Sequence, residues 1–580
     1  MTAAAQVHAG WKVNGILLFA LLISGCAGGG PAATGPAPAA ADGPPSQARP
    51  LVIYGKVEPA SLALRPFRQQ GAASNVPKHA FNAGLARIDT HGVPQPELLA
   101  SLPTLNTESW RVFPDGTMQT TYTLRANLTW HDGRPFTGDD LVFGWRIYSA
   151  PEMGIADEQP MSAMSDVTAP DPTHFVIRWK RLYPEADALS LPSLELPPLP
   201  QHILGPAFEQ LAATGGDSVA NHAFWGQQYI GLGPYRLQRW EPGAFIDAVR
   251  FDGYALGVPK IPRIEMRFSA DDNVVVASLL AGDAHVAADG SIGGNPETLT
   301  EQWSRTNAGT IFQRPSSLRA LIFQLRPEFA NPRALLDFRV RKAIAYALDK
   351  QTISDGAYGG RGIFADTPVF AGSAWGDALD DSITTYPLDL RAAETLMNQA
   401  GFIKGSDGVY GGADGRLTFE LTTDEGQDQV RELLIMADRL RAGSFEIQQR
   451  VLASATTRDP QVKDTVPALL INTSNMGQNA LVSLSSSQIP TPNNRWQGGN
   501  RGAWSSADYD RVLGAFNTTL DHGERVAQVR QMLRIFSEDL PWVTLFFRAD
   551  SIGYAVGVTG LTKAAPESNI AWNINEWEFK

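Results

Sequence analysis

One cysteine, Cys26, stands among 580 residues. There are nine histidines, no run of lysine and arginine, and no uncharged apolar stretch of the roughly 20 residues that a bilayer-spanning helix requires. Each absence excludes something. A net charge of −12 without a basic stripe argues against nucleic acid as a partner. The phosphate-cradling patterns G-x-x-x-x-G-K-[ST] and G-x-G-x-x-G are missing, as are the nucleophile elbow G-x-S-x-G and the zinc helix H-E-x-x-H. No close pair of histidines has metal-ligand spacing. His131-Asp132 reads as part of a solvated turn, and the pairs Asp139-Asp140 and Asp271-Asp272 sit at helix starts, where the macrodipole alone accounts for them. The sequence thus supplies no nucleophile, phosphate cradle or metal cage. It points away from an enzyme and from any cofactor.

What is present begins with Ile16–Gly30, ILLFALLISGCAGGG. An apolar run too short to span a bilayer follows one positive charge, Lys12, and leads into small residues, the layout of a secretory signal. The tetrad Ile23-Ser24-Gly25-Cys26 resembles the lipobox of bacterial lipoproteins, in which the cysteine is acylated and becomes the new N-terminus. The resemblance implies a signal peptide over 1–25 and lipidation at Cys26. Residues 26–50 are rich in Gly, Ala and Pro, with Asp42 and Arg49 as the only charges. Such a segment buries too little apolar surface to offset its ordering entropy and reads as a flexible spacer. With Cys26 acylated, the mature chain offers no disulfide, thiolate ligand or cysteine nucleophile.

The remaining residues, about 530, suffice for two or three domains. LVIYG from Leu51 reads as a strand ended by a turn at Glu58-Pro59, and Thr117–Leu128 alternates as a half-exposed strand running into Trp130-His131-Asp132-Gly133. Thr137 with Asp140 predicts a capping box, and Leu141, Trp145 and Tyr148 fall on one face of the helix behind it. Gly231-Leu232-Gly233-Pro234-Tyr235 breaks the chain, and a hairpin through Glu241-Pro242-Gly243 follows. Further helices are predicted over the DDNVVVASLLAGD segment closed by Gly282, over Asp337–Lys350, over LDLRAAETLMNQAG, behind the Ser505-Ser506 cap, and over Glu524–Glu538, with WVTLFF as a strand. Helices and strands alternate without a fixed repeat, so the fold class is α/β, or mixed α+β, in several domains. Fourteen Trp and thirteen Tyr, many in Gly/Pro/Asn-rich loops, suit walls for a polar organic ligand.

The order of these segments resembles the extracellular solute-binding proteins of family 5, the oligopeptide, dipeptide and nickel binders of ABC importers. The resemblance rests on TYTLRANLTWHDGRPFTGDDLVFGW, GLGPYRLQRWEPG, IPRIEMRFSADDNVVVASLLAGDAHVA, FRVRKAIAYALDKQTI, AAETLMNQAGF with DGVYGGADGRLTFEL, and SEDLPWVTLFF, which occur in the family's order from about Leu51 to the end. It implies a periplasmic-binding-protein-like fold of two lobes joined by two strand crossings. Lobe I is expected at 51–80, 232–309 and 516–580, with an inserted subdomain at 81–231 and lobe II at 310–515. It also implies a small-molecule or peptide ligand held between lobes that close over it, and an ABC permease and ATPase complex as partners. The chain is expected as a monomer in the cell envelope, periplasmic or extracytoplasmic, lipid-anchored to a membrane. The alternative is an extracytoplasmic sensor that docks on a receptor instead of a permease.

In peptide-binding members a late stretch of lobe II carries an acid that pairs with the peptide's α-ammonium. The corresponding Leu469–Trp504 holds no acidic residue. A buried ammonium without a counter-ion is strongly penalised, so a neutral, polyhydroxylated or anionic ligand, or a peptide lacking a free amine, is favoured, unless an acid such as Glu58 comes from elsewhere. The stretch offers amides instead, among them Asn472, Gln478, Asn479 and Asn493. Candidate ligand contacts are Glu58, Ser316, Ser317, Arg319, Asn475, Met476, Asn494, Trp496 and Trp504, while Gly231, Gly233 and Pro234 read as structural.

Overall fold

Leu51–Gly55 is buried along its whole length because it has cover on both faces. Leu51 and Ile53 enter one core, and Val52 and Tyr54 enter a second one with Val275, Leu279 and Trp303. The strand runs parallel to Arg263–Phe268 and to Val286–Ala287, and continuous apolar sequence is what a parallel strand covered on both sides requires. A computed structural model describes residues 49–580 apart from 68–74, 157–158, 188, 190–194, 294–295, 414, 458, 495 and 564–568. The expected signal, spacer and acylated Cys26 lie outside the described residues.

Two long strands organise the rest. Gly309–Phe323 and Trp542–Ala555 pair antiparallel nearly end to end within an eleven-stranded sheet of the described residues. Thr310 to Arg314 and Asp550 to Tyr554 lie on the side of Val286–Ala287 and Leu51–Gly55, with the hairpin Tyr235–Glu241 and Phe245–Arg250 at the edge. Leu318 to Phe323 pair on their other edge with Leu469–Ser474, beyond which come Thr418–Asp424 and Glu446–Leu452. From Leu318 on the strand is buried: Leu318, Ala320 and Ile322 enter one core, Leu321 and Phe323 another, as a period of two dictates. The molecule therefore has two lobes on one sheet, joined by the two crossing strands. At the crossing the register slips, because Pro315 faces Ala549 while Ser317 faces Arg548. Ser316 is the extra residue of a bulge, and its hydroxyl donates to the Arg548 carbonyl at 3.2 Å.

The expected lobe boundaries need correction here. Phe516, the helix His522–Asp539 and the strand as far as Phe547 share a core with Leu318, Trp375 and Tyr509, so they belong to lobe II rather than to the expected 516–580 segment of lobe I. The chain re-enters lobe I near Ala549, and on the outward strand the crossing falls at 315–317 rather than at 310. An amphipathic period says that a face is buried; it does not say in which lobe.

The region 81–231 carries its own five-stranded sheet of Leu99–Ser101, Met118–Leu124, His174–Trp179, Met164–Asp171 and Trp110–Val112. The predicted strand over Thr117–Leu128 ends at Leu124, after a run in which Met118, Thr120, Tyr122 and Leu124 alternate inward. Gly138–Tyr148 has the predicted capping box of Thr137 and Asp140. Asp272–Ala281 ends on Gly282 at φ 78°, as expected of a left-handed cap. The single helix predicted over Asp337–Lys350 is two, Phe338–Tyr346 and Lys350–Tyr358. Asp349 breaks it by accepting the Thr352 amide at 3.0 Å, capping the second helix instead of extending the first.

Candidate functional site

The site starts from the sheet of the inserted subdomain. Tyr122 stacks on Phe175, its ring centroid 4.5 Å away, and its hydroxyl donates to the Ala186 carbonyl at 2.6 Å. Trp179 stacks on Tyr183 at 4.6 Å and donates its indole N–H to Thr120. These contacts pin the short turn Pro184–Asp187 at both ends and aim Glu185 between the lobes.

Lobe II answers with an aromatic shelf. Asp521 caps His522–Asp539 by accepting the Glu524 amide, which places Arg525 in the first turn and a half. The Arg525 guanidinium lies 4.2 Å from the Phe516 ring centroid and 4.9 Å from that of Trp375. Trp375 in turn meets Phe516 edge-on and stacks on His522. Arg525 donates to Glu185 Oε1 at 2.5 Å, and Gln478 of the helix Gly477–Ser483 donates to the same oxygen at 2.8 Å.

Around this junction is a cavity of about 480 Å³. Its lobe I wall comes from Ile88, His91 to Pro94 and the Pro184 turn; its lobe II wall comes from Ser373 to Trp375, Gln478, His522 and Arg525. A smaller cavity of about 230 Å³ adjoins it through Ile88 and Leu189 and extends into lobe I toward His79, Arg87, Glu97, Asn569 and Trp572. Burial, helped by the Lys78 and Arg314 cations, pushes the His79 imidazole down to about 4 and leaves it neutral at neutral pH. Burial likewise raises the Glu97 carboxyl, although Tyr254 donates to it at 2.6 Å and the Gly84 amide at 2.8 Å. Arg87 lies over Trp572 at 5.0 Å and reaches Glu576 at 3.3 Å. The result is a partly aromatic cleft in which Glu185, Glu97 and Arg87 are each engaged by neighbouring side chains. Among the described residues, no group of three or more His, Cys, Asp or Glu side chains could hold a metal ion.

None of the nine residues singled out from the sequence lines either cavity. Glu58 accepts the Trp240 indole N–H at 2.7 Å and the Gly243 amide at 2.8 Å, which ties the first loop to the lobe I hairpin. Ser316 and Ser317 are at the crossing bulge. Arg319 is buried within lobe II, where it pairs with Glu432 and donates to Thr473 Oγ1 at 2.8 Å. Asn494 closes its own turn with Thr491 and the Ile489 carbonyl. Trp496 stands beside Phe329 and Arg326, and buried Trp504 donates to Asp539 while meeting Tyr509 edge-on. Asn475 and Met476 come nearest the cleft in sequence: Asn475 is exposed and donates to Ser483, and half-buried Met476 precedes the helix that carries Gln478.

The cleft's Glu185, Trp375 and Arg525 went unnamed because each is an ordinary loop or helix residue until the lobes meet. The only legible trace was the amide stretch, which includes Gln478. His131, expected in a solvated turn, is instead buried and held between the Gly231 amide, which donates to Nδ1 at 3.1 Å, and the Gly233 carbonyl, 3.0 Å from Nε2. Gly231 and Gly233 also let the segment pack against the end of the helix Val76–Phe81: a Cβ on Gly231 would stand 1.9 Å from the Phe81 carbonyl oxygen, and one on Gly233 2.4 Å from the Asn82 amide nitrogen.

The sequence model of the bacterial extracellular solute-binding proteins, family 5, matches residues 103–494. A Brucella ovis protein is 25% identical over 304 residues, 51% of either chain, so the chain spans about half the length of the curated relatives it matches. The structure of NikZ from Campylobacter jejuni in complex with Ni(L-His) superposes with a TM-score of 0.70 at 23% identity, covering 92% of this chain and 99% of that one. The Bacillus subtilis oligopeptide-binding protein AppA, in complex with a nonapeptide, gives 0.68 at 19% identity over 93% and 100%. These similarities place the fold.

Proposed function

Because the chain belongs to the bacterial extracellular solute-binding proteins of family 5, we propose that it is the solute-binding subunit of an ABC-type importer. It captures a peptide or another small polar solute between its lobes and presents the closed form to a membrane permease and its ATPase. The observation that carries this reading is the position of the larger cavity: residues of both lobes line it, and among the described residues two paired strands run from one lobe into the other. Closure of such a cleft removes water from a ligand and lets fixed dipoles act on it in a low-dielectric space, and the reading takes this as binding without catalysis.

The nature of the ligand is part of the same proposal. Neighbours in fold hold partners as different as a nickel–histidine complex and a nonapeptide, so the fold leaves the ligand class open. In this cleft Glu185 is engaged by Arg525 and Gln478, and Glu97 by Tyr254 and Gly84. Asp187 and Asp377 also line the larger cavity, so the support for a ligand without a free ammonium group is the lack of an acid in Leu469–Trp504, with Asn475 and Met476 as candidate contacts beside Gln478. Export by a signal peptide, acylation at Cys26, tethering at the cell envelope and a monomeric state complete the reading, and a tether keeps such a protein concentrated near its permease.

Native mass spectrometry of the gently purified protein, before and after unfolding and refolding, tests the proposal. A bound non-peptide or N-blocked species lost on refolding is the expected result. A ladder of free peptides would overturn the ligand class while leaving the binding role intact. Turnover of a bound species into a chemically different product would overturn the binding role itself.

A further inference from the structure

We propose that Glu185 and Arg525 form an interlobe clasp that holds the cleft closed before any ligand arrives. The two residues are 340 positions apart, one on the pinned turn Pro184–Asp187 of the lobe I insert and the other on the lobe II helix His522–Asp539. They meet at 2.5 Å with side chains only 14% and 9% exposed, so their attraction is screened far less than that of a surface pair. Gln478 adds a second lobe II donor to the same carboxylate oxygen. Another ion pair joining the lobes, Arg361 with Glu297, leaves Glu297 60% exposed and contributes little by comparison.

Each half of the clasp is held by contacts within its own lobe. On the lobe I side, the Tyr122 bond to the Ala186 carbonyl and the stacking of Tyr183 on Trp179 fix the turn that carries Glu185. On the lobe II side, the Phe516 and Trp375 rings hold the guanidinium, so little side-chain freedom remains to be lost on contact. Arg525 also has a buried Nε with no hydrogen-bond partner. A pair of this kind sets a closed population that a ligand then increases by its own contacts with both walls.

The inference rests on the binding-protein reading only in taking the two lobes to open and close, and its test uses neither ligand nor permease. Cys26 is the only thiol, so Cys26→Ser in the full chain gives a background for spin labels at Thr168→Cys in the insert and Asp381→Cys in lobe II. Both positions are exposed. Pulsed electron–electron resonance is recorded on protein whose native mass spectrum carries no adduct. The expected result is a predominantly short distance in the background protein. Glu185→Gln and Arg525→Met each lower the closed-to-open ratio about tenfold, the effect of losing one well-placed pair. The exchange Glu185→Arg with Arg525→Glu recovers part of the closed population. A long distance in the ligand-free background protein, or one distribution shared by background and both single variants, overturns the clasp. Unchanged circular dichroism and melting of Glu185→Gln, which preserves the side chain's shape, separate opening from misfolding. If the clasp fails while native mass spectrometry finds a bound solute, the binding reading still stands.

Discussion

Arg319 and Glu432 form a buried ion pair inside lobe II, their side chains 3% and 0% exposed, with the Tyr358 hydroxyl donating to the same carboxylate at 3.0 Å. Burial by itself lowers the Arg319 pKa, but Glu432, together with Tyr358 and Asp424, more than offsets this and keeps the guanidinium above its usual value. The pair ties the strand Gly309–Phe323 to the helices Gln427–Ala442 and Lys350–Tyr358. Removing one partner strands the other charge in a low dielectric. Glu432→Ala is expected to lower stability by about 3–5 kcal/mol, whereas Arg319→Met combined with Glu432→Leu should fall well short of that loss. Urea unfolding of the single and double variants measures the difference.

The buried His131 gives the fold a pH dependence of known sign. Burial, with Arg236 nearby, pushes its imidazole down to about 4 from 6.5. Between those values the unfolded chain binds a proton that the folded chain refuses. Stability contributed by neutral His131 is therefore fully present above pH 6.5 and is lost as pH falls toward 4, up to roughly 3 kcal/mol. His79 titrates in the same direction. Melting temperatures of the unaltered protein and of His131→Gln, compared at pH 7 and pH 4.5, should show a variant weaker at pH 7 but with a shallower decline.

The close approach at Gly231 and Gly233 leaves no room for a methyl group. Gly231→Ala brings its Cβ against the Phe81 carbonyl and forces the 231–235 segment away from the helix Val76–Phe81. A loss of about 2 kcal/mol or more is expected from this overpacking against backbone. Gly243→Ala serves as the comparison: nothing stands within 4 Å of its added Cβ, and only its positive φ of 78° opposes the substitution. Equal losses in the two variants would show that the Phe81 contact contributes nothing.

Asp349 sets where one helix stops and the next begins. Its carboxylate accepts the Thr352 amide and hydroxyl, at 3.0 and 2.6 Å. Asp349→Ala should cost about 1 kcal/mol and speed hydrogen exchange within Lys350–Tyr358 while leaving Phe338–Tyr346 protected. Faster exchange in both helices would mean that they unfold as one unit and that the cap does not define the boundary.

Local features were legible because they depend on near neighbours in the chain. Thr137 and Asp140 face each other over one turn wherever that helix stands, and Gly282 provides its left-handed cap without help from elsewhere. Alternation in Met118–Leu124 and the buried run of Leu51–Gly55 likewise announce their strands. The helix pattern over Asp337–Lys350 misled for a related reason: an apolar period continues through a break that a single capping carboxylate decides.

The sequence by itself determined the class of the fold, the positions of several of the longer elements, the family resemblance and the lack of catalytic signatures, since periodicity, caps and turn residues act over a few positions. Tertiary structure alone decided which lobe receives the helix His522–Asp539, which amides of Leu469–Trp504 turn toward the cleft, and that Glu185 meets Arg525. Those outcomes depend on contacts between residues separated by up to 340 positions, made by two lobes that only the crossing strands bring face to face. No local pattern encodes such a meeting, because each partner alone is an ordinary charged side chain until the other lobe excludes the water around it.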